Sequence, residues 1–445
     1  MSKRNFILLI IILVIVVIAV FGFLYFRQSP TAPGEESPGI NFISRFNPFG
    51  TSKPTIPVVI PPVDISGYEP GPRETQNMKL MRVSGMPVAG YSVYQKERLK
   101  EIPFLTPNPT PEQEPPLLKT TPLVKPTAPP TEFVTALRYV DRATGNIYQT
   151  FVDKIEERKF SGTTIPKVYE AYFGNNGEFV IMRYLKTDSK TIQTFVGTLP
   201  KEYLGADTTP NNEVKGYFLP DNIKDMSVSS DAKKIFYLFN LNENTIGTTL
   251  NLLDDKKVQV FDSPFTEWLS SWPNDKMITL STKPSANIPG YIYAINLLTK
   301  DLSKILGNIN GLTTLMSPDG KLILYGDNNL SLYIHHVDSR NSDVLTVKTM
   351  PEKCVWGKIS DVVYCAVPKL IDAGEYPDTW YQGEVSFRDQ FWKIDIKNGN
   401  AIMILDPVTV VGGEEIDGIK LSLDESEGYL FFVNKKDSFL WKLSL

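Results

Sequence analysis

One pattern recurs along most of this chain: a short polar turn followed at once by an apolar run of four to six residues. The turns are GNNGE, SSDAKK, WPNDK, SPDGK, KISD and LDESEG, and the runs after them occupy residues 179–184, 235–239, 277–280, 322–325, 362–367 and 429–433. Successive runs start 56, 42, 45, 40 and 67 residues apart. A period of about 40 to 50 residues is the length of one four-stranded propeller blade.

The residue types in this pattern suit antiparallel strands joined by tight turns. Asp, Asn, Ser and Gly tolerate a left-handed backbone or bond to their own backbone, so they reverse the chain within a few residues. Runs such as IFYLF and YLFFV are apolar throughout, as expected for strands that are buried on both faces when sheets stack radially around a channel. A two-sheet sandwich is the structural alternative, and it would show cleaner alternation of apolar and polar residues.

The sequence therefore predicts an all-β fold, a seven-bladed β-propeller over residues 78–445, with six or eight blades as alternatives. The predicted blades are about 78–153, 166–220, 223–262, 265–307, 310–347, 350–405 and 414–445. The first contains a proline-rich insertion at 96–132. The last holds only three strands, and an unpaired strand edge is a template for aggregation. We expect residues 55–60, or another strand just before Met78, to pair with residues 439–445 and close the ring.

One repeat carries a recognisable family signature. Ser317-Pro318-Asp319-Gly320-Lys321 followed by LILYG, together with hairpins such as VDRATGN, resembles the WD-like repeats of TolB-type propellers and of prolyl-oligopeptidase-like propeller domains. The other turns are degenerate forms of this signature. The resemblance implies a propeller over most of residues 133–445 and carries no catalytic residues. Membrane-anchored bacterial envelope proteins of this design look similar, which implies a location in the cell envelope.

Residues 1–27 are predicted to form a cytoplasmic tip and a transmembrane helix. An uncharged run, FILLIIILVIVVIAVFGFLYF, occupies residues 6–26 between Lys3-Arg4 and Arg27. Twenty-one residues give about 32 Å of helix, enough to span a hydrocarbon core of about 30 Å. A cleavable signal peptide is the alternative, but the run exceeds an h-region of about 7 to 15 residues. The positive-inside rule predicts a single-pass protein with a cytoplasmic amino end and its bulk outside the cytoplasm.

Residues 28–77 are predicted to form a proline-rich stalk. Between residues 28 and 130 lie 21 of the 34 prolines, and proline lacks an N–H and favours extended polyproline II over helices and central strands. A spacer is therefore the main interpretation. Binding of the segment PTPEQEPP by an aromatic-lined recognition domain is the functional alternative.

Charge and residue usage exclude several functions. Forty-six Lys and Arg against fifty Asp and Glu give a formal net charge of −4, so we expect no nucleic acid partner. His335 and His336 are the two histidines, and neighbours on a strand point to opposite faces, so they cannot bind one metal together. No nucleotide-binding, metalloprotease or hydrolase motif occurs. We therefore expect no metal, no cofactor and no catalytic residue set.

The two cysteines flank a predicted hairpin, KCVWGKISDVVYCA. A turn at residues 358–361 places Cys354 directly opposite Cys365 at a non-hydrogen-bonded position, where Cα atoms approach to about 4.5 Å and a disulfide is geometrically allowed. An oxidising exterior would form this bond. Two buried free thiols are the alternative.

The most unusual surface segment is a long insertion in the sixth blade, residues 369–390. It combines acids with aromatic residues, a composition common in sites that recognise sugars, peptides or cations. The candidate binding residues in it are Asp378, Trp380, Tyr381 and Glu384. The structural alternative is a loop that folds back and uses Trp380 to cap the blade, since tryptophan is usually buried.

These observations predict a non-enzymatic function. We expect an extracytoplasmic propeller that acts as a binding or scaffold module, with the membrane through its helix and a protein or glycan of the cell envelope as partners. A carboxylate-based enzyme acting on glycans in the propeller channel is the first alternative, because such enzymes need only two suitably spaced acids. A purely structural envelope component is the second.

Overall fold

The computed structural model describes residues 79–100, 130–202, 212–410 and 413–445, all within one compact unit, Thr75–Leu445. The predicted transmembrane helix, the predicted stalk and the strand proposed at residues 55–60 lie outside the described residues. Within the described ranges, helices are too short or too polar to cross a bilayer.

The described strands form seven antiparallel sheets of four strands each. The first four blades are β2 Val88–Leu99, β3 Thr131–Asp141, β4 Ile147–Phe151 and β5 Arg158–Lys159; β6 Val168–Gly174, β7 Phe179–Leu185, β8 Ile192–Thr198 and β9 Lys215–Phe218; β10 Asp225–Val228, β11 Lys234–Leu241, β12 Asn244–Asn251 and β13 Lys257–Ser263; β14 Trp268–Ser271, β15 Met277–Thr282, β16 Pro289–Asn296 and β17 Leu302–Asn310.

The other three blades follow the same order. They are β18 Thr313–Met316, β19 Leu322–Gly326, β20 Ser331–His336 and β21 Ser342–Lys348; β22 Cys354–Trp356, β23 Val362–Pro368, β24 Asp389–Asp395 and β25 Ala401–Leu405; and β26 Gly418–Leu423, β27 Tyr429–Asn434, β28 Leu440–Ser444 and β1 Leu80–Arg82. Short 3₁₀ helices at Pro351–Lys353 and Pro407–Thr409 precede β22 and β26, and one α-helical turn, α1, spans Asp378–Tyr381.

The apolar core shows that these sheets close into a ring. Each of seven buried apolar clusters is shared by two successive blades, and one of them joins the seventh blade to the first through residues such as Leu440, Phe431 and Leu137. Each sheet is therefore buried on both faces, which is why the runs IFYLF and YLFFV have no polar alternation. The prediction of a seven-bladed propeller is confirmed, and the sandwich alternative is wrong.

The first strands of the blades line the central channel. Neighbouring first strands contact one another, as β2 does with β6, β10 with β14 and β22 with β26. The approach of β2 to β6 requires glycine, because a Cβ at Gly90 would lie 1.9 Å from the carbonyl oxygen of Ala171. The fourth strands lie at the rim.

The ring is closed by a strand from the amino-terminal side of the chain. β1 pairs with β28 in the register Leu80↔Leu443, Met81↔Lys442 and Arg82↔Trp441. The sequence pattern predicts this strand before Met78 and assigns the residues after Met78 to the first blade. The structure instead assigns Leu80–Arg82 to the seventh blade, and the chain crosses to the first blade over Val83–Pro87.

Strand direction defines two faces of the ring. The insertion face carries the starts of the first strands and the connections between second and third strands, including residues 369–388. The turn face carries the hairpins between first and second strands and between third and fourth strands. The long strands β2 and β3 reach Leu99 and Thr131 at the turn face, so the insertion predicted at 96–132 is shortened to 100–130, and its residues 101–129 lie outside the described ranges.

Candidate functional site

The sixth-blade insertion folds back onto the propeller. Trp380 is only 4% exposed, and it packs with Phe387, Tyr376 and Leu330 in a cluster above the fifth and sixth blades. This burial agrees with the structural alternative, a loop that folds back and uses Trp380 to cap the blade, while the role of Trp380 in ligand binding stays a prediction. The reason for the burial is apolar area: an indole ring that reaches a neighbouring blade is removed from water more favourably than one left exposed.

The other three predicted binding residues divide into one anchor and two accessible groups. Asp378 Oδ2 accepts hydrogen bonds from the Ala286 amide at 2.6 Å and the Ser285 hydroxyl at 3.1 Å, which ties the insertion to the fourth blade. Tyr381 is 38% exposed and its hydroxyl donates to the Glu352 carboxylate. Glu384 is exposed. Only Tyr381 therefore reaches toward the channel.

A buried ionic cluster lies beneath the insertion. Lys353, which is fully buried, donates from Nζ to Asp417 Oδ1 at 2.5 Å, to Asp389 Oδ2 at 2.7 Å and to the Gly418 carbonyl at 3.0 Å. The three ammonium protons are all used. Asp417 Oδ2 also accepts from Trp380 Nε1 and the Phe387 amide, both at 3.0 Å.

The ionic cluster joins the insertion to the sixth and seventh blades, since its members come from the 3₁₀ helix, β24 and the residue before β26. Two carboxylates face one ammonium, and Asp389 Oδ1 has no hydrogen-bond partner among the described residues. Burial raises the pKa of Asp389 to about 6, with Asp417 adding to the rise and Lys353 opposing it. Burial also disfavours ionised Asp417, but Lys353 and the hydrogen bonds outweigh it and lower the pKa of Asp417.

Three carboxylates, which we call the channel carboxylates, lie at or near the starts of first strands at the insertion face, and one of them, Asp225, interacts electrostatically with the other two. They are Glu170 on β6, Asp225 at the start of β10 and Glu352 just before β22, and each is half-buried. Asp225 Oδ2 accepts from the Ser270 amide at 2.5 Å and its hydroxyl at 2.7 Å. Because first strands begin at this face, the ring brings together residues that are distant in sequence.

Burial perturbs two of the channel carboxylates. It raises the pKa of Asp225 to about 6, an effect that Glu170 increases and that Ser270 and Arg183 oppose. Burial likewise raises the pKa of Glu352, which the Tyr381 hydrogen bond opposes and Asp225 increases. Glu352 and Asp225 belong to the sixth and third blades, so their electrostatic interaction acts across the channel. Carboxyl groups with raised pKa values bind donors or cations, or transfer protons near neutral pH.

Two cations complete the channel mouth. Arg183 on β7 forms an ion pair with Glu170 and donates to the Ile223 carbonyl at 2.6 Å. Lys420 on β26 donates to the Ala89 carbonyl at 3.1 Å, and burial lowers its pKa while Glu170 opposes that shift. The mouth is therefore charged and polar, unlike an apolar plug.

No local sequence pattern predicts the channel carboxylates or the ionic cluster. Glu170, Asp225, Glu352 and Lys353 follow no catalytic motif. Their one shared feature is a position at or near the start of a first strand. That position becomes informative only once the seven first strands are assigned.

Neither histidine lies at the channel mouth. His335 is buried on β20 with Nδ1 2.9 Å from the Ser342 hydroxyl, whereas the neighbouring His336 is exposed. The part of the chain that the structure describes contains no group of three or more His, Cys, Asp or Glu side chains arranged to hold a metal ion.

Cys354 and Cys365 occupy directly opposed positions on β22 and β23, and the structure joins them by a disulfide. The pair is buried in the cluster between the fifth and sixth blades. Cys354 follows the channel carboxylate Glu352 by two residues, and both sulfur-bearing residues belong to this apolar cluster.

Comparison with known proteins adds little beyond architecture. The chain matches no protein-family model and no curated protein sequence. Similar solved structures include an oligogalacturonate lyase in complex with manganese (10% identity, 70% of this chain and 85% of that chain covered, TM-score 0.44), an oligogalacturonate lyase from Vibrio parahaemolyticus (9%, 70% and 86%, 0.46) and TolB from Acinetobacter baumannii (12%, 68% and 61%, 0.36). TM-scores below 0.5 at such identities transfer no function to this chain.

Proposed function

We propose that this chain is a membrane-anchored β-propeller of the cell envelope that binds a ligand at the channel mouth of its insertion face. The channel carboxylates carry this proposal. Three half-buried acids from three different blades lie at one face of the ring, where Asp225 interacts electrostatically with the other two. Carboxylate oxygens accept hydrogen bonds strongly from charged or hydroxyl donors. The ligand is therefore rich in donors, as the hydroxyls of a glycan or the basic side chains of a protein are.

Replacing Asp225 by asparagine tests the site. Loss of one charge-assisted hydrogen bond costs about 1.5 to 3 kcal/mol, so we expect the partner that co-purifies from native membranes to bind about 10- to 100-fold more weakly. Asp275→Asn is the matched control, because Asp275 is exposed in a hairpin on the turn face. Equal recovery of partners by the Asp225 variant and the wild type would remove the channel mouth from consideration.

An enzyme acting on glycans is the second candidate, favoured by the raised pKa of Asp225 beside Glu170 and Glu352. A carboxyl group that holds a proton near pH 6 suits a general acid. Incubation with envelope glycans and measurement of new reducing ends separates the two functions. Turnover that disappears in Asp225→Asn supports the enzyme, and binding without turnover supports the binding module. If the protein shows no turnover and no binding, the conclusion is a structural component.

The membrane anchor is a separate part of the proposal, supported by the uncharged run at residues 6–26. We expect the full-length chain to remain in the membrane pellet after an alkaline carbonate wash, because a helix of about 32 Å satisfies its backbone within the bilayer. Deletion of residues 1–27 releases the protein to the supernatant. Release of the full-length chain by carbonate contradicts the anchor.

A further inference from the structure

A second concave region lies on the turn face, remote from the channel carboxylates. It is a cavity of about 970 Å³ between the first and second blades. Its lining includes Lys96, Arg138, Arg158, Gln149, Tyr94 and Glu202. Five of the described lining residues are Lys or Arg and three are Glu, so the cavity is basic in a chain whose formal net charge is −4.

Arg138 forms the rigid floor of this cavity. It is 5% exposed, and its guanidinium lies 4.3 Å from the ring centroid of Phe160 and 5.4 Å from that of Tyr94. Nε donates to Gln149 Oε1 at 2.9 Å, and Nη1 donates to the Gly177 carbonyl. The planar cation is therefore held in one orientation before any ligand arrives, which reduces the entropic cost of binding.

Lys96 stands beside this floor. Its position on β2 faces the same side of the sheet as Arg138, and its Nζ lies 3.3 Å from Gln149 Oε1. Burial, Arg138 and Arg158 together lower the pKa of Lys96 to about 7. Burial is the largest cause of this shift, and the two guanidinium groups add to it, so the charges beside Lys96 favour a neighbouring anion.

The space between the Lys96 ammonium and the Arg138 guanidinium already holds one anion, the carboxylate of Glu202. Glu202 forms ion pairs with Lys96 Nζ and with Arg138 Nη2, the latter at 2.5 Å. An ammonium and a guanidinium converging on one carboxylate is the arrangement by which proteins bind carboxylate and phosphate groups. The Glu202 carboxylate therefore marks the place and the charge that a bound group would take.

We propose that this cavity binds the carboxylate or phosphate group of a small anionic ligand between Lys96 and Arg138, in competition with the Glu202 side chain. Tyr94 and Phe151 flank the cavity and provide apolar surface for the rest of the ligand. This site is independent of the channel carboxylates, because it lies on the opposite face and has the opposite charge.

Calorimetric titration of the full-length protein with inorganic phosphate at pH 7 tests the proposal. Glu202→Gln removes the internal competitor, so we expect phosphate to bind about tenfold more tightly, because a larger fraction of the sites is open. Lys96→Met removes one of the two cations and weakens binding about tenfold or more. Lys276→Met, which alters an exposed lysine in another turn, binds as the wild type does.

The two variants at the site predict opposite changes, and a gain of affinity in Glu202→Gln cannot arise from misfolding. A second titration with acetate distinguishes a carboxylate ligand from a phosphate ligand. Binding of acetate but not phosphate assigns a carboxylate ligand, and binding of phosphate but not acetate assigns a phosphate ligand. Unchanged affinity in Lys96→Met, weaker binding in Glu202→Gln, or failure of the wild type and Glu202→Gln to bind either anion overturns the proposal.

A spectroscopic readout checks that the anion meets Lys96 itself. Lysines are labelled by ¹³C-methylation, and an NMR titration follows the pKa of Lys96. The resonance of Lys96 is identified as the one that is missing from the spectrum of Lys96→Met. In Glu202→Gln, where no carboxylate already pairs with Lys96, saturating phosphate raises that pKa, since an adjacent anion favours the ammonium form. A pKa that does not move while phosphate binds places the anion elsewhere and contradicts the assignment.

Discussion

Replacing Lys353 by methionine is expected to lower the free energy of unfolding by about 3 to 5 kcal/mol, because removal of one partner from a buried ion pair leaves an uncompensated charge. Lys353 is fully buried, and among the residues that the structure describes its ammonium is the one cation that donates to both Asp389 and Asp417. Denaturant unfolding at pH 7.5, followed by tryptophan fluorescence, measures the loss.

The pH dependence of this loss identifies its cause. Without the ammonium, the folded-state pKa values of Asp389 and Asp417 rise above their unfolded values of about 3.9. Stability from such groups is present below the unfolded pKa and is lost as the pH rises through the folded pKa. The deficit of Lys353→Met relative to the wild type is therefore small near pH 4 and largest above pH 7. A deficit that is equal at both pH values refutes the electrostatic explanation.

Lys435→Met is the matched control for Lys353→Met. Lys435 lies over the same indole, with Nζ 4.5 Å from the Trp380 ring centroid and 2.7 Å from the Trp380 carbonyl oxygen, but it is only partly buried. We expect its loss to cost about 1 kcal/mol, as for an ordinary hydrogen bond. A larger loss for Lys435→Met than for Lys353→Met would contradict the central role of the ionic cluster.

Replacing the closing strand β1, Leu80–Arg82, by Gly-Ser-Gly is expected to reduce stability by about 3 kcal/mol or more and to promote aggregation. Leu80 is buried in the cluster between the sixth and seventh blades, and truncating a buried leucine costs about 2 to 5 kcal/mol by itself. The replacement also weakens the pairing of β1 with β28. The strand β28 then has an exposed edge, and exposed strand edges promote aggregation. Thermal unfolding and light scattering of the full-length protein measure both effects.

The same replacement at residues 57–59 is the control, because residues 55–60 are a closing strand that the sequence predicts. We expect no change in the melting temperature for that variant, since β28 already pairs with β1. A loss of stability at residues 57–59 together with tolerance at Leu80–Arg82 would reverse the assignment of the closing strand.

The fold was predictable because its causes are local. Each blade needs tight polar turns and strands apolar on both faces, and the segments from GNNGE to LDESEG provide both in the sequence itself. The pairing of Cys354 with Cys365 was predictable for the same reason, since one short hairpin sets the register. The closing strand was less accessible, because β1 is three residues long and pairs with a strand more than 350 residues away.

The sixth-blade insertion shows that the composition of a loop does not predict which of its side chains are buried. Acids and aromatic residues in one loop predict a binding surface, yet Trp380 is buried above Lys353 and Asp378 is tied to the fourth blade. A side chain's environment depends on which neighbouring blade it meets, and no local pattern contains that information.

By itself, the sequence determined the architecture: a repeat of turns and apolar strands, long enough for seven blades, allows few folds other than a ring. Only the tertiary structure decided where the chemistry lies. Glu170, Asp225 and Glu352 meet at one opening because ring closure brings the starts of three first strands together. Lys96, Arg138 and Glu202 meet because two blades stack side by side. Electrostatic interaction depends on distance in space, which the ring sets and the order of residues does not.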